Sequence, residues 1–176
     1  VPMPKTVQFG FPYVDTLKLQ EQFGEVLFLS IANEDAYQQV EKACAERSVS
    51  AVFCEFPANP LLDCPDLARL AAACRSSGVL IVVDDTVATS INVDVTPYAD
   101  LITTSLTKAF SGVGDVIAGA LTVSPHAPQA EALRKLLLAD GAPQLPDADA
   151  IVLEKNSRDY AERVRKMSET AELVCD

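Results

Sequence analysis

Five short apolar runs constrain this chain more than any other feature: "EVLFLS" (25–30), "SAVFCE" (50–55), "VLIVVDD" (79–85), "ADLITT" (99–104) and "VIAGALTV" (116–123). They are rich in Val, Ile, Leu and Phe and lack the strict polar alternation of a half-solvated strand. Such runs suit strands covered on both faces, which is the situation of a parallel sheet between layers of helix.

Helical patterns fill the intervals. In "NEDAYQQVEKACAERS" (33–48), Tyr37, Val40, Ala43 and Cys44 share one face, and Asn33 offers a cap before an acidic first turn. A second helix is expected to open at Asp63 and Pro65. It carries Leu67, Leu70, Ala71 and Cys74 at i, i+3, i+4, i+7 spacing and closes at Gly78. Strand and helix alternating in this order make βαβ units. The interval 104–116 is too short for an easy parallel crossover, so the last strand is expected to run antiparallel. A short amphipathic helix, "AEALRKLLLA" (130–139), follows. From 149 to about 175 the pattern predicts one long helix, striped by Leu153, Tyr160, Val164, Met167, Ala171 and Val174. At 1.5 Å per residue it would run roughly 40 Å without a cap.

The totals narrow the function classes. Among 176 residues, 25 acidic against 14 basic side chains give a net charge of −11, which disfavours nucleic acid and anionic membrane as partners. No apolar stretch reaches the ~18 residues of a membrane span, and the start "VPMPKTVQFG" lacks a signal-peptide pattern. Five cysteines without a C-x-x-C pair, and one histidine, make a poor metal-ligand set, so no metal site is expected. Scattered, odd-numbered cysteines fit reduced thiols and a cytoplasmic location.

In open α/β sheets ligands gather beyond the carboxyl ends of the strands. Here those ends carry Glu55 followed by "FPANPLL", then Asp84, Asp85 and Thr86, then Ser105, Thr107 and Lys108. Each residue alone has a plain reading. Lys108 suits a solvated surface, Asn59 before Pro60 a turn, and the aspartate pair a helix cap or a Mg²⁺–phosphate site. Their joint placement on successive strand ends argues for a site. A P-loop is excluded because residues 100–107 hold no glycine, and "GVGDVIAG" (112–119) has the wrong spacing for a dinucleotide fingerprint. A Schiff-base lysine fits better. Pyridoxal 5'-phosphate (PLP) asks for a lysine, a carboxylate for its ring nitrogen and hydroxyls for its phosphate, and this rim supplies all three.

"EFPANPLL" (55–62), "VVDDT" (82–86) and "SLTKAFSGVGDVIAG" (105–119) together resemble the Cys/Met-metabolism family of PLP enzymes. The likeness is closest to its fungal cystathionine γ-synthase-like branch, which shares the wording of "FGFPYVDTLK" and "INVDVTPYAD". It is dense from about 9 to 123 and thin afterwards. The resemblance implies an aspartate-aminotransferase-like (PLP fold type I) large-domain core, with a mostly parallel sheet and flanking helices. It implies Lys108 as the Schiff-base lysine and proton shuttle, Asp84 as partner of the ring nitrogen, Ser105 and Thr107 as phosphate ligands, and Asn59 as partner of the cofactor's phenolate oxygen. Asp84 is preferred to Asp85 because the family writes Asp-Asn-Thr there. Glu55 falls at a glutamate read as structural. Phe9 stands where the family has a tyrosine; it is expected to stack on the cofactor ring without exchanging a proton, and Tyr13 is a nearby alternative. Val113 replaces a family histidine.

The implied activity is γ-replacement on an O-activated homoserine through a vinylglycine-type intermediate, with cysteine thiol or another sulfur, carbon or nitrogen nucleophile. A C–S lyase of cystathionine or methionine type is the alternative, and a non-catalytic remnant of the fold is a third reading. An amino-acid substrate and a homodimer or homotetramer with sites shared across the dimer also follow. The resemblance also implies that residues 1–148 are a partial PLP-binding large domain lacking its N-terminal segment. Residues 149–176 are expected to begin an inter-domain helix leading to a C-terminal domain outside this sequence.

Overall fold

The computed structural model describes residues 5–139, 141 and 145–175. Six strands form one sheet: β1 (Lys5–Phe9), β2 (Glu25–Leu29), β3 (Ala51–Glu55), β4 (Leu80–Asp84), β5 (Leu101–Ser105) and β6 (Gly119–Val123). Their order across the sheet is β2-β1-β3-β4-β5-β6. The first five run parallel, and β6 pairs antiparallel with β5, as its short connection requires. The helices are α1 (Val14–Phe23), α2 (Glu34–Ala45), α3 (Leu67–Ser77), the single turn α4 (Thr89–Asn92), α5 (Ala130–Ala139), α6 (Asp147–Ser157) and α7 (Tyr160–Cys175). No described helix is long and apolar enough to cross a membrane.

Strand parity distributes the side chains. Val7 and Phe9, Val52 and Cys54, and Ile81 and Val83 point to one face, where α2 and α3 cover them. The expected stripes do this packing: Val40, Ala43 and Cys44 from α2, and Leu67, Leu70, Ala71 and Cys74 from α3. Burying each Val or Leu of this layer contributes roughly 1.5–3 kcal/mol. Asn33 caps α2 through Ala36 N–H, and Gly78 ends α3 in the left-handed region at φ 71°.

β1 and α1 are absent from the sequence reading, yet β1 lies inside the sheet. Its alternate residues, Thr6 and Gln8, are polar and face α1. There Gln20 satisfies both: its Oε1 accepts from the Thr6 hydroxyl at 2.9 Å, and its Nε2 donates to Gln8 Oε1 at 2.8 Å. With β1 in place the topology gains its switch point. The chain passes from β1 to β2 on one side, then crosses to β3 on the other, which opens a crevice at the carboxyl ends of β1 and β3.

Two helix boundaries differ from expectation. α3 is capped by Asp66, whose carboxylate accepts from Arg69 N–H at 3.0 Å; Asp63 instead closes a loop, its carbonyl accepting from Ala58 N–H. The single helix expected over 149–175 is two, α6 and α7, bent at Arg158 and Asp159. At the bend Leu153 and Val164 are buried, Tyr160 packs on Phe110 with ring centroids 5.0 Å apart, and the Asn156 carbonyl accepts from the Arg163 guanidinium. A straight helix could not wrap the segment after β5 in this way. Met167 and Val174, the far end of the expected stripe, are exposed.

Candidate active site

At the carboxyl ends of β3, β4 and β5 a cavity of about 360 Å³ opens, lined by Glu55, Asn59, Asp84, Ser105, Thr107 and Lys108 among others. Five of the six residues expected at a cofactor site are therefore neighbours. The sixth, Phe9, is not: it is only 1% exposed and lies in the core, its ring 4.7 Å from that of Tyr37 on α2. The physical reason is parity, because Phe9 shares its face with Val7 and so points into the α2–α3 layer. Tyr13, at the start of α1, lines the cavity instead. A hydrogen bond from the Tyr13 hydroxyl to the Asp15 carboxylate, reinforced by that carboxylate's charge, holds the Tyr13 phenol above its ordinary pKa.

Parity also separates the two aspartates. Asp84 ends β4 on the cavity side; one of its oxygens accepts from Thr86 N–H at 2.9 Å. Asp85 turns to the opposite face, is 4% exposed, and accepts from the Thr104 hydroxyl. Burial pushes the Asp85 carboxyl above its usual range, opposed by the Thr104 hydrogen bond. A carboxyl raised in the folded state contributes fully below the ordinary value of ~3.9, and that contribution is lost as pH rises through the folded value. Asp85→Asn keeps an acceptor for Thr104 and removes the desolvated charge. Its expected effect at neutral pH is a gain of about 1 kcal/mol, a rise in Tm of about 2–4 °C, that shrinks toward zero near pH 3. A Tm unchanged or lowered at pH 7 would contradict this account.

Lys108 sits in a wide helical turn, Leu106–Phe110, that follows β5 directly; its own backbone (φ −82°, ψ −123°) breaks the helical path. Its side chain is exposed, and among the described residues Nζ has no hydrogen-bond or ion-pair partner. The turn is pinned where it leaves β5. Leu106 and Thr107 N–H both approach the Ala118 carbonyl, and Ala118 N–H donates to the Thr107 hydroxyl at 3.0 Å. That bond uses a lone pair of Thr107, while its hydroxyl donates only weakly, Oγ1 lying 3.3 Å from the Ala118 carbonyl oxygen. Ser105 N–H donates to Thr86 Oγ1 at 2.8 Å, and its own hydroxyl has no partner among the described residues. Thr86 thus links the ends of β4 and β5. Its place two residues after Asp84 was the only sequence signal for it.

Glu55 is a structural carboxylate. It is 9% exposed and accepts from the backbone N–H of Tyr13 and of Asn59, so it ties the loops after β1 and β3 together. Cys54 beneath it is buried, and desolvation with the nearby charges of Asp84 and Glu55 pushes its thiol up to about 12, which keeps it protonated and inert. Among the described residues no three His, Cys, Asp or Glu side chains gather as metal ligands.

A family described as Cys/Met metabolism PLP-dependent enzymes matches residues 13–176. A cystathionine gamma-synthase-like enzyme of Amanita muscaria is 39% identical over 98% of this chain and 30% of its own length. The cystathionine gamma-synthase of Saccharomyces cerevisiae is 39% identical over 98% of the chain and 28% of its own length. The chain thus spans less than a third of the curated relatives it matches. Among solved structures, one described as an O-acetylhomoserine (thiol)-lyase of Campylobacter jejuni, holding N'-pyridoxyl-lysine-5'-monophosphate, superposes with a TM-score of 0.81 at 21% identity, over 98% of this chain and 51% of its own. A cystathionine gamma synthase of Xanthomonas oryzae pv. oryzae gives 0.72 at 23% identity, over 89% of this chain and 41% of its own. These likenesses establish the fold.

Proposed function

The chain belongs to the Cys/Met metabolism family of PLP-dependent enzymes, and from that premise we propose that the protein catalyses γ-replacement on an O-activated homoserine. One observation carries the reading: the Lys108 amine, one Asp84 oxygen and the Ser105 hydroxyl all lack partners among the described residues and open onto one cavity.

This donor set fits PLP. Lys108 Nζ is a free primary amine for the cofactor's carbonyl carbon, Asp84 is an acceptor able to hold a proton on the pyridine nitrogen, and Ser105 and Thr107 offer hydroxyl protons to the phosphate. Asn59 reaches the same cavity, where its side-chain amide would donate to the phenolate oxygen. When bound, PLP supplies an electron sink for the charge that develops on the substrate's carbon. The protein's residues do the rest. Asp84 would hold a proton on the ring nitrogen through the carboxylate oxygen left without a partner among the described residues. The Lys108 amine, at the cavity wall, would take a proton at Nζ and return it at a neighbouring substrate carbon. The pinning of the turn at Ala118 holds the Lys108 Cα while its side chain moves.

We include self-association in the proposal, with the site completed by a second copy. Ile117 lines the cavity yet is 87% exposed, so apolar surface lies at the open mouth. The deciding experiment incubates the PLP-loaded protein with O-acetyl- and O-succinyl-homoserine, with and without cysteine, and separately with cystathionine and with methionine, and reads the products. A thioether formed only with cysteine supports replacement. Ammonia and a keto acid released from cystathionine or methionine, with no thioether, would make the protein a lyase instead. A colourless protein that neither binds PLP nor turns over either substrate class would remove the enzyme reading.

A further inference from the structure

The lysine turn is held at its other end by a residue from the first turn of α7, just past the bend. Arg163 Nη2 approaches the carbonyl oxygens of Ala109 and Phe110 at 3.0 and 2.9 Å, and that of Ser111 at 3.3 Å. These carbonyls form the unpaired carboxyl end of the turn that begins two residues before Lys108. Asn156 reinforces the grip: its Nδ2 donates to the Ser111 hydroxyl at 3.1 Å and to Asp115 at 2.8 Å. Asp159 pairs with the guanidinium and fixes its orientation.

The fit is close. Gly112 adopts φ +74°, and a Cβ there would stand 2.5 Å from Arg163 Nε and 2.7 Å from its Cζ. A side chain at 112 would meet both a strained backbone and the guanidinium. Arg163 Nε is itself buried without a partner among the described residues, so the group is seated by the turn's carbonyls and not by full pairing of its own donors.

We propose that Arg163 is a positioning residue for Lys108: by capping the carbonyl end of the lysine turn, opposite the Ala118 anchor, it sets where the amine stands in the cavity. The turn is then clamped between β6 and the α6–α7 bend, and displacement of that bend would carry the lysine with it. This inference rests on the PLP reading above.

The test compares Arg163→Ala, Arg163→Lys and Gly112→Ala with the parent protein, measuring the Kd for PLP, the rate of its covalent capture by Lys108, kcat and KM separately, and Tm. Charge-assisted hydrogen bonds of this kind support an expectation of about tenfold weaker PLP binding in Arg163→Ala. A misplaced reacting group supports a fall in kcat on the order of 10²-fold with KM little changed. Arg163→Lys keeps the charge and one donor direction and should recover part of both effects. Gly112→Ala displaces the guanidinium without removing it and should reproduce the direction of Arg163→Ala. If Arg163→Ala does not fold, the other two variants carry the same comparison. A variant set that lowers Tm while leaving Kd, capture rate and kcat at the parent's values would overturn the assignment. If the parent itself shows no borohydride-fixed PLP on Lys108, the PLP reading falls and takes the assignment with it. If the parent is labelled and the variants match it, only the assignment to Arg163 fails.

Discussion

Lys108→Ala is expected to give a folded protein that retains no PLP after borohydride treatment and turns substrate over at least about 10³-fold more slowly than the parent. The two halves of that expectation have separate causes. Folding should be untouched, because Lys108 is exposed and its Nζ makes no described contact; exposed substitutions of this kind lie within roughly ±0.5 kcal/mol. The turn itself is held by backbone groups, by Thr107 and by Arg163, none of which the substitution alters. Chemistry should collapse, because among the described residues Lys108 supplies the only amine lining the cavity. Peptide mapping of the reduced, labelled protein is the direct measurement. Label recovered on another lysine, or turnover kept within tenfold, would move the site elsewhere.

Asp84→Asn should reduce kcat by on the order of 10²–10³-fold, the scale of losing one charge placed against a developing one in a dry site. Asn at this position still accepts from Thr86 N–H, so the local turn survives and only the negative charge goes. The contrast with Asp85→Asn makes the result specific. The two residues are adjacent and chemically identical, yet Asp85 lies on the far face against Thr104 and lines no part of the cavity. One substitution is expected to cost activity at unchanged stability, the other to gain stability at unchanged activity. Steady-state kinetics and thermal melts on both proteins decide it. Equal losses of kcat in the two would mean that charge at this strand end acts through the fold and not through the cavity.

How much could be read in advance depended on how local each cause is. The five apolar strands were legible from their runs of Val, Ile, Leu and Phe, but only the central ones are covered on both faces: the edge strands β2 and β6 are partly exposed. β1 was not legible, since half of its side chains are polar and are satisfied by Gln20, a residue outside the strand. Lys108, Asp84, Ser105, Thr107 and Asn59 could be picked out because all lie at or just beyond strand ends, and the structure brings them to one cavity. Phe9 misled because a family position gives a place in an alignment, while the face it points to depends on the strand's register. The bend at 158–159 left little trace, because Asp159 and Arg163 read equally well as an ordinary i, i+4 pair on a continuous helix.

The sequence by itself determined the α/β class, the mostly parallel sheet with its antiparallel last strand, the two packing helices and the residue types at the strand ends. Each of these follows from periodicity, capping or loop length, which are properties of neighbouring residues. Only the tertiary structure decided that Asp84 and not Asp85 faces the cavity, that Tyr13 stands where Phe9 does not, and that Arg163 closes the lysine turn. These are relations between segments far apart in the chain, set by strand pairing and by the need of buried polar groups for partners.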